Sequence, residues 1–427
     1  MKRLILIVSV LGFALTSPLS AMELSLSEAL DMAEQNNRTI QLARLDVSTA
    51  RAEKTAAYAT AFPTVGASAA LEHECLEQEV GGFIPAYENT YQLGAVLDQT
   101  LFDLRVLYAI TASRALNRLS DLQYEATRQR VITGVKKSFY AALLAREVFE
   151  VARSSEDSAR ENYENVRARF DSGVASEYEL LQAEVNWRNT VPERIKARRD
   201  YELALNSLKL LVGVPQEQEL EVTGTLACYP QAPPARDFEA LVGQRPDIQA
   251  LEWQKKLQEI GLRARQSAFY PTLTARVSYT ITAASDELRW ENDTDSLSLG
   301  LLLSVPVFTG GNNRSLVRKA RSEVDKVEVR LAQTREEILV ELSNIRLRLQ
   351  EAGQRIESAG KNVSTARRAF EIAETRVENR LATQVELKSI RVALDLAQVN
   401  YYSSIYDYLV AYFDWEEATG RVTSQGI

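Results

Sequence analysis

Two cysteines and one histidine stand among 427 residues, and that scarcity removes most site chemistry at once. No Cys/His group has zinc-ligand spacing. No Ser-His-Asp arrangement can be built around the lone His73, which lies between Glu72 and Glu74 in a strand-like stretch and reads as an exposed polar residue. Gly310-Gly311 lacks the Lys and Ser/Thr of a phosphate loop. Catalytic groups, metal and cofactors are therefore not expected. Glycine (18) and proline (11) are also few, which disfavours a loop-rich fold and points to long, mainly helical elements. Beyond the N-terminus no apolar run approaches the ~20 residues that a membrane-spanning helix needs. A β-barrel remains as a way to cross a bilayer. Positive charge is in deficit, 50 Lys and Arg against 58 Asp and Glu, so nucleic acid is an unsuitable partner.

The first residues read as an export signal. Lys2 and Arg3 precede an apolar run from Leu4 to Leu15, and small residues follow to Ser20 and Ala21. Removing residues 1–21 takes away two cationic side chains and no acidic ones, so the mature chain carries a formal charge of −10. No cysteine follows the cut, so no lipid anchor is expected. Cys75 and Cys228 would remain in an oxidising compartment, but on the layout below they fall on opposite sides of a membrane and are expected to be unbonded.

The chain is written twice. Residues 39–64, ending Ala61-Phe62-Pro63-Thr64, match residues 247–272, ending Phe269-Tyr270-Pro271-Thr272, at an offset of 208. Leu93-Gly94 and Leu101-Phe102-Asp103 match Leu299-Gly300 and Val307-Phe308-Thr309 at 206. Arg169-Phe170-Asp171 and Glu179-Leu180 match Arg376-Val377-Glu378 and Glu386-Leu387 at 207, as Gly213 matches Gly420. Each half runs from a helix through an aromatic-Pro step, where the residue before proline leaves helical geometry, into two strand-like segments and then a long helical region.

The strand segments alternate with period two. Leu273, Ala275, Val277, Tyr279 and Ile281 are separated by Thr274, Arg276, Ser278 and Thr280, and Leu297 through Val305 keep the same rhythm. In the first half Val65, Ala67, Ala69 and Leu71, then Tyr91, Leu93, Ala95 and Leu97, repeat it. Each strand thus has one apolar and one polar face, and each segment could supply the ~9–11 residues of a membrane strand. Tyr87, Tyr91, Tyr279 and Trp290 near strand ends suit an interfacial aromatic belt. The long helices carry a heptad seam, with Ile338, Leu342, Ile345, Leu349, Ala352 and Ile356 continuing through Ala359, Val363, Ala366, Phe370, Ala373 and Val377. No proline interrupts 311–378 or 104–171, so each helix would run roughly 100 Å at ~1.5 Å per residue.

The expected fold class is therefore mostly α with membrane β: tandem-duplicated long coiled-coil helices plus four strands per chain. The first repeat spans 22–212, with membrane strands in 64–103 and a helical hairpin over 104–212. A linker covers 213–235. The second repeat spans 236–420, with strands in 272–308 and a hairpin over 310–420, and 421–427 form a tail. Four strands cannot close a barrel when the smallest have about eight, and open edges in lipid leave backbone groups without partners. Several copies must share one barrel. The competing reading is a soluble periplasmic coiled-coil scaffold or adhesin with a small sheet.

Three motifs resemble the TolC-type outer membrane efflux family across the whole mature chain. They are the helix-to-strand prolines Pro63 and Pro271, the re-entry Pro306-Val307-Phe308-Thr309-Gly310-Gly311, and the turn Arg169-Phe170-Asp171-Ser172-Gly173-Val174-Ala175-Ser176. The re-entry has Thr309 where the family has Asp, and its first-half counterpart keeps Asp103 without the glycines. The resemblance implies a homotrimer with a 12-stranded barrel in the bacterial outer membrane, a tunnel of twelve helices in the periplasm, and a collar around Gln216 to Pro234. It implies a passive channel of tripartite efflux or type I secretion, not an enzyme. Its partners would be outer-membrane lipid, a periplasmic adaptor (membrane fusion) protein and an inner-membrane RND, ABC or MFS transporter.

The resemblance also assigns sites. Gly173, Val174 and Ala175 at the first tip, and Arg380, Leu381 and Ala382 at the second, would dock the adaptor. Arg380 stands where the family often has glycine, so Asn379 is expected to take the left-handed position. Glu179 and Glu386, at matched places just past the tips, would form the tunnel constriction, where three copies of one carboxylate would raise one another's pKa. Pro63, Pro271, Phe308, Gly310 and Gly311 would be the helix–strand joints.

Overall fold

The computed structural model describes residues 22–73, 87–227, 229–231, 241–379 and 381–422. The export segment, Cys75, Cys228, Arg380 and part of the 213–235 linker lie outside the described residues.

In chain order, a short strand β1 (Met22–Leu24) leads to helices α1 (Leu26–Asn36) and α2 (Arg38–Ala59), then to strands β2 (Thr64–His73) and β3 (Asn89–Phe102). The first hairpin follows as α3 (Leu104–Asp171) and α4 (Glu177–Val212), then β4 (Leu220–Val222). The second half repeats the order with α5 (Pro246–Gln266), β5 (Thr272–Ser285), β6 (Thr294–Ser304), α6 (Asn312–Glu378) and α7 (Gln384–Ala418). Helix α3 starts behind Asp103, whose carboxylate accepts the Arg105 amide at 2.8 Å, as an N-cap should. Pro192 lies inside α4, where it forfeits one backbone hydrogen bond. Val305 to Phe308 fall beyond the end of β6, so the expected strand limit of 308 is too long; Pro306 follows at once and stops the ladder.

The four long strands form one antiparallel sheet in the order β2-β3-β5-β6. Its register carries the apolar set across: Ala67 faces Ala95, Ala95 faces Tyr279, and Tyr279 faces Leu297. Among the described residues β2 and β6 have one neighbour each, so both outer edges lack a partner.

The core sits where the hairpins cross the short parallel ladder of β1 and β4. Ile132, Val135 and Phe139 of α3 pack with Ile338, Leu342 and Ile345 of α6 and with Ile405, Leu409 and Phe413 of α7. Each such side chain contributes about 1.5–3 kcal/mol on burial. Lys136 of α3 is buried among them at 1% exposure. Its ammonium donates to the Glu416 carboxylate at 2.7 Å and lies 5.4 Å from the Phe413 ring centre. Asn37 caps α2 through Thr39 and Ile40 and donates to the Leu211 carbonyl at 2.7 Å, tying α2 to the end of α4. That end turns at Gly213, φ +80°, pressed against Asn36.

The heptad seam is buried from Ile338 to Ile356 and again at Ala373 and Val377. Between Ala359 and Phe370 it is half-buried. The hairpins are thus packed tightly at the core and more loosely below it.

Candidate functional site

Both tip turns are built by local chain chemistry. At the first, Gly173 has φ +74°, its amide donates to the Phe170 carbonyl at 2.8 Å, and the Val174 amide donates to Arg169 at 2.8 Å. That pair of bonds is a Schellman turn, which needs a left-handed residue where glycine stands. Ser176 then opens α4 in a capping box with Glu179. Gly173 and Val174 are exposed and Ala175 is half-buried.

The second tip repeats the plan 207 positions later: the Leu381 amide donates to the Arg376 carbonyl at 2.7 Å, and Thr383 opens α7 in a capping box with Glu386. Asn379 has φ −85°, which corrects the expectation that it takes the left-handed position. The equivalence explains why: Asn379 corresponds to Ser172, and the place of Gly173 belongs to Arg380. Asn379 instead donates its side-chain amide to the Thr375 carbonyl at 2.7 Å. Leu381 is 68% exposed and Ala382 half-buried.

Glu179 and Glu386 are both committed to these turns. The Glu179 carboxylate accepts the Ser176 amide at 2.9 Å, and that of Glu386 accepts the Thr383 amide at 2.9 Å. Ser-x-x-Glu and Thr-x-x-Glu are readable capping signatures, a signal that the sequence reading passed over. Glu179 is half-buried and Glu386 exposed.

Above the tips, polar bonds join the two hairpins. Asn162 donates to Gln384 at 2.8 Å, which sets the start of α7 beside residue 162 and not beside the end of α3. Ser155 donates to Asp395 at 2.7 Å. Arg391 pairs with Asp395 at 2.9 Å, donates to the Ser154 hydroxyl at 3.1 Å and lies 5.1 Å from the Phe370 ring centre. Burial pushes the Asp395 carboxyl up, and the Ser155 hydroxyl and Arg391 offset this only in part. These residues border a cavity of about 480 Å³ whose walls include Val151, Ala152, Ala159, Ala197 and Val392. Small side chains on facing helices leave that space. The bonds between hairpins were not legible in one dimension, since their partners are 222 to 240 positions apart; the Arg391–Asp395 pair, at i and i+4, is local.

The sheet is two-faced. Val65, Leu71, Leu93, Tyr279, Leu297, Leu299, Leu301 and Leu303 share one side and are all exposed in the single chain. On the other side Arg276 bonds Asp98 at 2.6 Å and Ser278 meets Ser298 at 2.6 Å. Of the candidate belt, Tyr91 and Trp290 lie with ring centres 5.8 Å apart. His73 bonds the Asn89 side chain at 2.9 Å where β2 ends and β3 begins. Among the described residues no group of His, Cys, Asp and Glu could hold a metal, and no helix is long and apolar enough to cross a membrane. At the joints Phe308 is 88% exposed, and Gly310 and Gly311 both have positive φ, turning the chain from strand into α6. Pro63 and Pro271 immediately precede β2 and β5.

Comparison with known proteins agrees with this geometry. The family model described as outer membrane efflux protein matches residues 29–214 and 239–421, one match per half. The alkaline protease secretion protein AprF of Pseudomonas aeruginosa is 24% identical over 330 residues, covering 76% of this chain and 68% of that protein. The outer membrane protein TolC of Vibrio cholerae is 20% identical over 350 residues, covering 80% of each. The crystal structure of the Campylobacter jejuni CmeC outer membrane channel superposes with a TM-score of 0.80 over 92% of this chain and 85% of that one, at 20% identity.

Proposed function

We propose, from the premise that the chain belongs to the outer membrane efflux protein family, that three copies of it form one continuous conduit from the periplasm to the exterior. Membership makes it an outer-membrane channel protein with a long periplasmic helical portion, and not an enzyme. The finer reading is a homotrimer whose three sheets make a 12-stranded barrel, above a tunnel of twelve long helices. It conducts passively for a tripartite efflux or type I secretion system. An inner-membrane transporter supplies the energy, and a periplasmic adaptor meets the tips at Gly173, Val174, Ala175, Arg380, Leu381 and Ala382.

The observation that carries this is the sheet with one apolar face and two unpaired edges. In hydrocarbon each unpaired amide costs several kcal/mol, so the edges of β2 and β6 must be met by other copies. The polar face, with Arg276, Asp98, Ser278 and Ser298, then lines water. Glu179 and Glu386 lie beside the tips, so carboxylates from three copies would meet at the periplasmic end and narrow or gate it. Their capping bonds use one oxygen each, which leaves the second for that role.

The test is direct. Membranes expressing the full chain are fractionated, and the detergent-extracted protein is weighed by multi-angle light scattering and reconstituted into planar bilayers. A detergent-resistant trimer with stable conductance is expected. A monomer soluble in plain buffer, or a trimer without conductance, would refute the proposal.

A further inference from the structure

The charge of the chain is distributed along the helices in opposite senses at their two ends. Consider the three helical turns nearest the sheet on each of the four helices that join it. Helix α2 contributes Arg51 and Lys54, and α3 contributes Arg105 and Arg114. Helix α5 adds Lys256, Arg263 and Arg265, and α6 adds Arg314, Arg318, Lys319 and Arg321. Against these eleven cations stand three carboxylates, Glu53, Glu259 and the cap residue Asp103. The corresponding turns at the tip end, including the turn residues, hold ten carboxylates and seven Lys and Arg. A chain of net charge −8 therefore carries about eight positive charges in a band some 16 Å deep beneath its sheet.

Most of these cations are without a protein counter-charge. Arg105 pairs with Asp103, and Arg114 donates to the Tyr58 hydroxyl at 2.6 Å. Among the described residues the four on α6, like Arg51, Lys54, Arg263 and Arg265, have no carboxylate within ion-pair reach. All four on α6 are exposed, and Arg314, Arg318 and Arg321 follow one another down one helix face, where like charges repel. Between this band and the apolar sheet face lies a ring of exposed aromatics: Phe62 at 66%, Tyr270 at 55% and Phe308 at 88%. Apolar face, then exposed aromatic rings, then uncompensated cations is the order of a lipid interface: hydrocarbon, glycerol level, phosphate level.

We propose that this band is a docking collar for anionic phospholipid headgroups on the periplasmic leaflet, with Arg314, Arg318, Lys319 and Arg321 as its densest part. Arginine forks meet phosphate oxygens in paired hydrogen bonds, and the collar fixes the depth of the sheet in the bilayer. The idea rests on the reading that the sheet lies in the membrane.

The probes are phosphatidylglycerol and phosphatidylcholine of equal chain length, added to the detergent-purified full-length protein and counted by native mass spectrometry. At low salt we expect at least a tenfold preference for phosphatidylglycerol, falling steeply at high salt. The variant Arg314→Gln/Arg318→Gln/Lys319→Gln/Arg321→Gln is expected to lose at least fivefold in bound phosphatidylglycerol while keeping its conductance in bilayers. Lysine at the three arginine positions is expected to keep most of the binding. Equal binding of both lipids, or a glutamine variant that binds phosphatidylglycerol as before, overturns the collar. So does a glutamine variant whose only change is pore anion preference, because the cations would then face the lumen. If the unmodified protein forms no conducting trimer, the proposed function fails instead, whatever the lipid count.

Discussion

Replacing Glu416 with Gln removes one charge from the most enclosed ion pair among the described residues and leaves its shape. Lys136 is 1% exposed and the Glu416 side chain 10% exposed, with 2.7 Å between ammonium and carboxylate. The pair joins α3 to the end of α7 across 280 positions. Solvent therefore cannot take over the lysine charge once its partner is neutral, and a neutral amide oxygen with the Phe413 ring at 5.4 Å stands in for the carboxylate as weak compensation. Breaking a buried pair from one side costs about 3–5 kcal/mol, which is at least a hundredfold in the folding equilibrium. Replacing both members by apolar residues, Lys136→Met with Glu416→Leu, removes both desolvation penalties and is expected to recover to within about 1 kcal/mol of the parent or better. The assay is denaturant unfolding of the detergent-solubilised protein followed by far-UV circular dichroism, with midpoints compared at equal slope. A Glu416→Gln midpoint within about 0.5 kcal/mol of the parent would show that the pair is hydrated and refute the reasoning.

Four further outcomes are expected. Gly173→Ala meets nothing within 4 Å and pays for positive φ alone, about 1 kcal/mol, whereas Gly213→Ala also drives a methyl to 2.8 Å from Asn36 and should cost about 3 kcal/mol by the same denaturation measurement. Asp395 is held above the ordinary carboxylate range by burial, so its charged form costs stability at neutral pH, and that cost is relieved as pH falls through its raised pKa toward about 3.9; Asp395→Asn should flatten the midpoint-versus-pH curve in that window. Asp247 has the opposite sign: burial pushes its carboxyl up, but Arg245 and the Ile248 amide more than offset this and leave it low, so its stabilisation is full above about 3.9 and fades below, and Asp247→Asn should lose stability at pH ~7 and be less acid-sensitive. Glu386→Gln trimers in planar bilayers are expected to lose cation preference and divalent block; unchanged values would dismiss the constriction.

What the sequence could disclose follows from the range of the interactions. Helix α3 begins at Leu104 and ends at Asp171, a proline-free stretch that starts behind an Asp cap and stops just before Ser172-Gly173, all signals within a few residues. The strands were legible for the same reason, because side-chain alternation is local. Residue type alone makes Asn379 a left-handed candidate, whereas its φ of −85° follows from standing at the place of Ser172 in the repeat. Glu179 and Glu386 carry a second local signal as well, since the serine and threonine three positions earlier announce their caps. The joining of hairpins by Asn162, Ser155 and Arg391, and the sinking of Lys136 into the core, depend on partners more than 200 positions away. No short window contains them.

The pairing of β3 with β5 has a further consequence, because the two strands belong to different copies of the ancestral unit. Within the chain Asp98 stands opposite Arg276. Carried forward 206 positions, Asp98 becomes Ser304; carried back 208, Arg276 becomes Ser68. In the proposed barrel, the seam inside one polypeptide is the template for a seam between polypeptides. It would set Ser304 of one copy against Ser68 of the next, and Leu303 against Ala69, so that oily side chains meet oily side chains around the whole circumference.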